Sequence, residues 1–169
     1  GLFFRPLPEM SLLHAGACSN TSLVLSRTDG WQDIKVTDGL HAHLLVTIKI
    51  ADLATVVSLE IRGAGDKPNA PGSVMLNVTR GTILLGSPSQ SPQRDVFPTT
   101  LTNSGVVKLE IFIDGPTTEV FANGGERVLT QSAQVLSIQG TQLRAATNGT
   151  STLKAVTWPM RQAVTVDYE

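Results

Sequence analysis

The stretch VVKLEIFIDGPTTEVFANGGERVLT, residues 106–130, decides the fold class of this chain. In its first half, apolar residues stand at every second position from Val107 to Ile113, which places them on one face of a β-strand. Asp114-Gly115-Pro116 then interrupts the alternation with turn-forming residues. Asn123-Gly124-Gly125 is a hairpin signal because these residues tolerate positive φ. The stretch therefore predicts three strands that are joined by two tight turns.

The same period-two alternation recurs along the rest of the chain, and no convincing amphipathic helix appears. Further strands are predicted at residues 44–50, 55–61, 74–78, 83–85, 133–138, 142–146 and 153–158. The breaks carry Gly, Pro, Asn or Asp, and residues 63–68 and 87–92 are predicted to be surface loops. Short strands at this spacing indicate an all-β sandwich of two antiparallel sheets, jelly-roll or concanavalin-like, with about ten to twelve strands. A closed barrel is the alternative.

Composition limits the partners that the chain can have. A length of 169 residues suits a single domain, 1–169. Charged residues are only 16%, the net charge is −1 and no basic patch stands out, which argues against nucleic acid. No apolar run approaches the ~18 residues of a membrane span, so no membrane partner is expected. Gly1-Leu2-Phe3-Phe4 lacks a basic leader, and any secretion signal is expected to precede it.

Three of the six asparagines lie in Asn-x-Ser/Thr sequons, at Asn20, Asn77 and Asn148. This excess predicts a secreted eukaryotic glycoprotein, although coincidence in a chain rich in Ser and Thr is the alternative. The single cysteine, Cys18, cannot form an intrachain disulfide and is predicted to be a small buried hydrophobe.

The central hairpin also resembles a known family. Phe112-Ile113-Asp114, Glu119-Val120-Phe121, Asn123 and Thr130 fit the pattern that marks the C-terminal β-sandwich of glycoside hydrolase family 32, the invertases, inulinases and levanases. The pattern departs at Gly115-Pro116, where the family has Arg and Ser, so no role of that Arg is carried over.

Both ends of the chain agree with this resemblance. Arg-Pro-Leu-Pro-Glu-Met at residues 5–10 resembles the segment with which the family begins its sandwich. Thr157-Trp158-Pro159-Met160 resembles the closing Trp-Pro-Leu strand. The resemblance therefore covers nearly the whole chain.

The resemblance implies a non-catalytic module of a β-fructosidase. In the family this module packs beside a catalytic five-bladed propeller, stabilises it and often helps the enzyme to form homo-oligomers. The implied parent activity is hydrolysis or transfer of β-fructofuranosyl groups from sucrose, inulin or levan, by an extracellular, vacuolar or cell-wall enzyme. The catalytic carboxylate motifs, Asn-Asp-Pro-Asn-Gly and Glu-Cys, do not occur in this chain. We therefore expect no catalytic residue and no cofactor here. The alternatives are a free-standing fructan-binding module and a lectin-like domain.

Asp114 and Glu119 are the best polar candidates for a carbohydrate site, because they flank one turn and carboxylates accept hydrogen bonds from sugar hydroxyls. Alternatively, Asp114 caps the turn and Glu119 pairs with a basic neighbour. Trp31, after the Asp29-Gly30 turn, either stacks against a sugar ring or packs in the core, whereas Trp158 is predicted to be core.

Two further groups of residues have competing interpretations. His41 and His43 share one strand face, which suits either two metal ligands or, more simply, a solvated face, and no metal site is predicted. Apolar residues are dense between Leu2 and Leu13, where Pro6 and Pro8 are expected to exclude a helix. This segment is either a first strand on its own core or a surface that docks against another domain.

Overall fold

The computed structural model describes residues 5–65, 70–87, 90–96, 104–132 and 140–161, with backbone alone at residues 90 and 91. Within them lie twelve strands: β1 (Ser19–Ser26), β2 (Gln32–Asp33), β3 (His41–Ile50), β4 (Val57–Gly63), β5 (Val74–Val78), β6 (Thr82–Ser87), β7 (Gln90–Val96), β8 (Val106–Asp114), β9 (Thr117–Ala122), β10 (Arg127–Ser132), β11 (Gln142–Thr147) and β12 (Thr150–Pro159). They form two six-stranded antiparallel sheets, and the predicted sandwich is confirmed.

The two sheets are interleaved along the chain. The first sheet has the order β1-β12-β3-β8-β9-β10, and the second has the order β2-β11-β4-β5-β6-β7. Alternate residues of the strands point between the sheets, so Leu44 and Ile111 of the first sheet belong to one core cluster with Leu59 and Leu76 of the second, all without exposed surface. Burial of these side chains is the main stabilising term, at about 25 cal/mol for each Å² of apolar surface.

The central hairpin forms as predicted. β8 and β9 pair from Leu109–Ala122 to Asp114–Thr117, and β9 continues into β10. Asn123, Gly124 and Gly125 have φ values of 53°, 76° and 89°. The Asn123 side chain accepts a hydrogen bond from the Lys108 amide at 3.0 Å, which fixes the start of the turn.

Edge strands were the hardest to predict. β1, β2 and β7 were not predicted, and each lies at the edge of a sheet. β7 includes Pro92 and was expected to be part of a surface loop, which is wrong. A proline is tolerated there because an edge strand has one row of amides without a ladder partner. The predicted strand at residues 133–138 lies outside the described residues.

The N-terminal residues also differ from expectation. Pro8–Leu13 is a short 3₁₀ helix, so the exclusion of a helix by the prolines is wrong. Pro8 stands at its first turn, where a missing N–H costs nothing. The helix buries no residue, and Leu12 is 73% exposed, so the interpretation as a first strand on its own core is also wrong. Residues 1–4 lie outside the described part of the chain. Cys18 is exposed and not buried as predicted.

Candidate functional site

A row of large side chains crosses the outer face of the first sheet. In register, Trp158 of β12 faces His43 of β3, His43 faces Phe112 of β8, and Phe112 faces Glu119 of β9. These positions alternate with the core residues of the same strands, so the pleat directs them away from the second sheet. Sequence reasoning assigned Trp158 to the core between the sheets, which is wrong.

The row is closely stacked. The rings of His43 and Phe112 lie 4.3 Å apart and nearly parallel, and the His14 ring stacks on Trp158 at 4.9 Å. Phe121 contacts the edge of Phe112 at 6.1 Å between centroids. His43 is only 7% exposed, so the prediction of a solvated histidine face is wrong at this residue. The covering aromatic rings and His14 exclude water from it.

A chain of hydrogen bonds runs through His43. Its Nε2 lies 2.9 Å from Glu110 Oε1, and its Nδ1 lies 2.9 Å from His14 Nε2. Burial, together with the positive charge that His14 can carry, lowers the pKa of His43 to about 4. Burial also raises the pKa of the Glu110 carboxyl. These contacts join β3, β8 and the N-terminal segment (residues 7–15).

Both predicted acidic residues line one cavity on this face. The cavity has a volume of about 280 Å³. Its apolar lining includes Met10, Leu13, Phe112 and Met160, and its charged lining is Asp114, Glu119 and Arg161. A lining that combines apolar side chains with two acidic residues and one arginine suits the mixed surface of a sugar ring, which presents C–H groups and hydroxyls.

The contacts of Asp114 and Glu119 are not those expected for a turn cap and for a cross-strand pair with a basic residue. Asp114 Oδ1 lies 3.9 Å from His41 Nε2, while the turn amide of Gly115 donates to the Leu40 carbonyl. The direct cross-strand neighbours of Glu119 are Phe112 and Thr130, and neither is basic. His41 is instead held by Asp38, whose Oδ2 lies 3.2 Å from His41 Nδ1.

Trp31 lies apart from this cavity. It precedes β2 at the edge of the second sheet and is half-buried. The Arg144 guanidinium lies over its ring, 5.1 Å from the centroid. This cation–π contact holds the indole against the protein. The structure therefore groups Asp114 with Glu119 and separates Trp31 from both.

The three sequons differ in accessibility. Asn20 is exposed on edge strand β1. Asn77 is half-buried on β5, and its Oδ1 accepts a hydrogen bond from Ser58 Oγ at 2.6 Å. Asn148 is exposed as well, and its side chain accepts a hydrogen bond from the Val56 amide at 2.7 Å.

Metal sites and membrane-spanning helices are both absent from the described residues. No group of three or more His, Cys, Asp or Glu side chains there could hold a metal ion. No helix in that part of the chain is both long and apolar enough to cross a membrane.

Sequence reasoning missed two residues of this face, His14 and Glu110. Glu110 has a usable signal, because it stands on the same strand face as Asp114 in the alternation of β8. His14 has none, since it precedes the first strand and pairs through an isolated bridge with Met160, the residue that follows β12.

The family assignment rests on comparison with known proteins. The sequence model described as "Glycosyl hydrolases family 32 C terminal" matches residues 17–158. No curated protein matches the chain.

Similar solved structures include fructan 1-exohydrolase IIa from Cichorium intybus, with a TM-score of 0.72, 15% identity and coverage of 96% of this chain and 38% of that one. Sucrose-6-phosphate hydrolase from Lactobacillus gasseri has a TM-score of 0.68 and 15% identity, and the match covers 95% of this chain and 31% of that one. Exo-inulinase from Aspergillus awamori has a TM-score of 0.64 and 18% identity, and the match covers 90% of this chain and 31% of that one. The chain thus spans about a third of the length of these enzymes. It belongs to the C-terminal β-sandwich domain of glycosyl hydrolase family 32.

Proposed function

We propose that this chain is the non-catalytic module of a fructan- or sucrose-processing glycoside hydrolase, and that it stabilises the catalytic propeller by packing against it. The solved relatives are about three times longer than this chain, and two of them are named for fructan or inulin. In family 32 the N-terminal domain is a propeller, so the propeller is the partner that the module would meet.

The supporting observation is a one-sided distribution of exposed apolar side chains. Eight large hydrophobic residues are exposed in the described part of the chain. Six of them lie on the outer face of the first sheet or in the N-terminal segment above it: Leu7, Leu12, Leu13, Val24, Leu45 and Val128. The other two, Leu53 and Val96, lie in a turn and at the end of β7. Apolar surface concentrated on one face is typical of an interface.

The test places a charge on this face in a chain that joins the module to its propeller. Leu45→Glu and Val128→Glu should each lower the temperature of thermal inactivation by several degrees, because the interface would bury an unpaired carboxylate. Leu53→Glu, at a residue that is 68% exposed in a turn, is the matched control and should change little. Equal effects of all three substitutions would contradict the docking face, provided that circular dichroism shows each isolated module to be folded.

A second function, fructoside binding, is supported by the cavity that holds Asp114 and Glu119. Calorimetric titration of the chain with levan or inulin should then give saturable heat, and Asp114→Asn with Glu119→Gln should abolish it. Trp31→Phe should leave this binding unchanged, since Trp31 does not line the cavity. Loss of binding in Trp31→Phe would instead place the sugar at Trp31. The chain itself should not hydrolyse sucrose, because it carries neither catalytic motif.

Extracellular or vacuolar residence and N-glycosylation complete the proposal. The support is the number of sequons and the exposure of Asn20 on an edge strand, where a glycan would not displace a neighbouring strand. Secretion of the parent enzyme from its native cell, followed by mass spectrometry of its glycopeptides, tests both claims.

A further inference from the structure

The N-terminal segment is attached to the first sheet at few points. Leu13 O accepts a hydrogen bond from the Arg161 amide at 2.7 Å, and the Ala15 amide donates to Pro159 O at 2.9 Å. No residue of the 3₁₀ helix within the segment is fully buried, although Met10 and Leu13 line the cavity together with Phe112 and Met160. The polar side-chain contact between this segment and the sheet face is the bond between His14 and His43. The strength of this bond therefore bears directly on whether the segment stays in place.

The partners of His43 determine the direction of that bond at neutral pH. Ionised Glu110 can only accept, so His43 donates its Nε2–H to it. The Nδ1 of neutral His43 is then a lone pair and accepts the Nε2–H of His14. Both imidazoles can be neutral in this arrangement, and in each of the two bonds one N–H points at one lone pair.

One added proton leaves the bond intact. If His14 takes the proton at Nδ1, its Nε2–H still donates to His43. If His43 takes it, Nδ1–H donates to His14 Nε2, and His14 moves its own proton to Nδ1. In either case one N–H points at one lone pair, and the shared positive charge strengthens the bond.

A second added proton cannot be accommodated. Two imidazolium rings place N–H against N–H, with centroids 5.2 Å apart and two like charges. The site offers little water to screen this repulsion, because Trp158 and Phe112 pack against His43. The contact between His14 and His43 must then open.

Other charges near His43 do not remove this conflict. On β8, Glu110 faces it directly, and burial raises the pKa of this carboxyl, so Glu110 also takes up a proton in the acid range. The carbonyl oxygen of the neutral carboxyl can still accept from His43 Nε2–H. On β9, Glu119 stands beyond Phe112 in the same row. On β12, the neighbour is Trp158, which carries no charge. On β3 itself, His41 lies two residues away and is paired with Asp38.

We propose that the His14–His43 pair is a proton-counting latch, which holds the N-terminal segment on the sheet while the pair carries at most one added proton and releases it when both rings are protonated.

Opening of this latch falls in the acid range. Burial and the neighbouring His14 charge lower the pKa of His43 to about 4 in the closed state. In the open state His43 regains water on the side that His14 covered, and its pKa moves back towards the ordinary value of about 6.5. Because the closed state has the lower pKa, its stability is fully present above about pH 6.5 and is lost as the pH falls towards 4. The sandwich core, which contains none of these groups, should remain folded through the same range.

The test is NMR of the chain between pH 7.5 and 3.5, with ¹⁵N detection of the imidazoles and amide exchange corrected for intrinsic rates. The expected result is that Ala15 and Arg161 lose protection at least tenfold as His43 becomes protonated, while the amide of Ile48 in β3 keeps its own. Protection at Ala15 that persists after both His14 and His43 are protonated would overturn the latch.

Two variants sharpen this test. His14→Gln keeps a donor and an acceptor but cannot be charged, so the segment should stay protected to pH 3.5. His41→Gln is the matched control, since it alters the neighbouring histidine on the same strand face and should leave the acid transition unchanged. An acid transition that persists in His14→Gln, or that disappears in His41→Gln, would assign the release to other groups and contradict the proposal.

Discussion

Arg144 donates its Nε–H to Glu60 Oε2 at 2.5 Å, and both side chains are buried although they stand on the outer face of the second sheet. The two residues are direct cross-strand partners on β11 and β4. The Gly65 carbonyl accepts from Arg144 Nη1 at 2.7 Å, and Trp31 packs over the guanidinium. At this point the outer face of the second sheet is thus covered by the paired side chains and Trp31, in contrast with the exposed apolar face of the first sheet.

Removal of one member of this pair should be costly. We expect Arg144→Met to lower the free energy of unfolding by about 3–5 kcal/mol, because Glu60 would remain buried without its guanidinium. Glu60→Met with Arg144→Met should restore part of that loss. Urea denaturation of Arg144→Met, Glu60→Met and the double variant measures the coupling. Arg127→Met, at a half-exposed pair with Asp95, is the control and should cost about 1 kcal/mol or less. A double variant no more stable than Arg144→Met would refute the assignment.

Asn123 should be specifically required at the start of its turn. Its φ of 53° is in the left-handed region, and its side chain accepts the Lys108 amide. Asn123→Ala loses the hydrogen bond and adds backbone strain, so we expect a loss of about 2 kcal/mol. Asn123→Gly removes the bond without the strain and should cost about half as much. Thermal or urea unfolding gives both values, and equal losses would contradict the role of backbone conformation.

Gly39 should not tolerate a side chain. A Cβ at this position would overlap the Thr141 carbonyl, which is main chain and cannot rotate away. We expect Gly39→Ala to cost about 2–3 kcal/mol in unfolding free energy. Gly81 has open space around it and serves as the control, with an expected change of about 0.5 kcal/mol or less for Gly81→Ala. A neutral Gly39→Ala variant would show that the two segments can separate at little cost.

Asn20 should be the most completely glycosylated of the three sequons in a eukaryotic host. It is exposed on an edge strand, whereas the side chains of Asn77 and Asn148 are already engaged in hydrogen bonds. Asn20→Gln should therefore remove most of the glycan mass that an amidase releases. Intact-protein mass spectrometry before and after the amidase measures it, and an unchanged glycan mass in Asn20→Gln would contradict the prediction.

Much of the sheet architecture could be predicted from the sequence, because successive side chains of a strand point to opposite faces of the sheet and apolar residues at every second position therefore mark the buried face. The alternating residues of β3, β8 and β12 were assigned to strands from this pattern, and their core sides follow from it. β1 and β7 were not predicted, because an edge strand needs neither a continuous apolar face nor a full row of hydrogen-bonded amides. The site was predicted in part. Asp114 and Glu119 share a cavity because one hairpin carries both.

The sequence by itself determined most of the strands and the turn at Asn123, since each depends on residues that are close together in the chain, and it also indicated the family. Only the tertiary structure decided that His43 is buried and Glu60 is paired. Those outcomes depend on side chains brought from far away: His14 from 29 residues before His43, and Arg144 from 84 residues after Glu60. A local pattern specifies which face a side chain takes, but burial and charge depend on which distant groups come to cover that face.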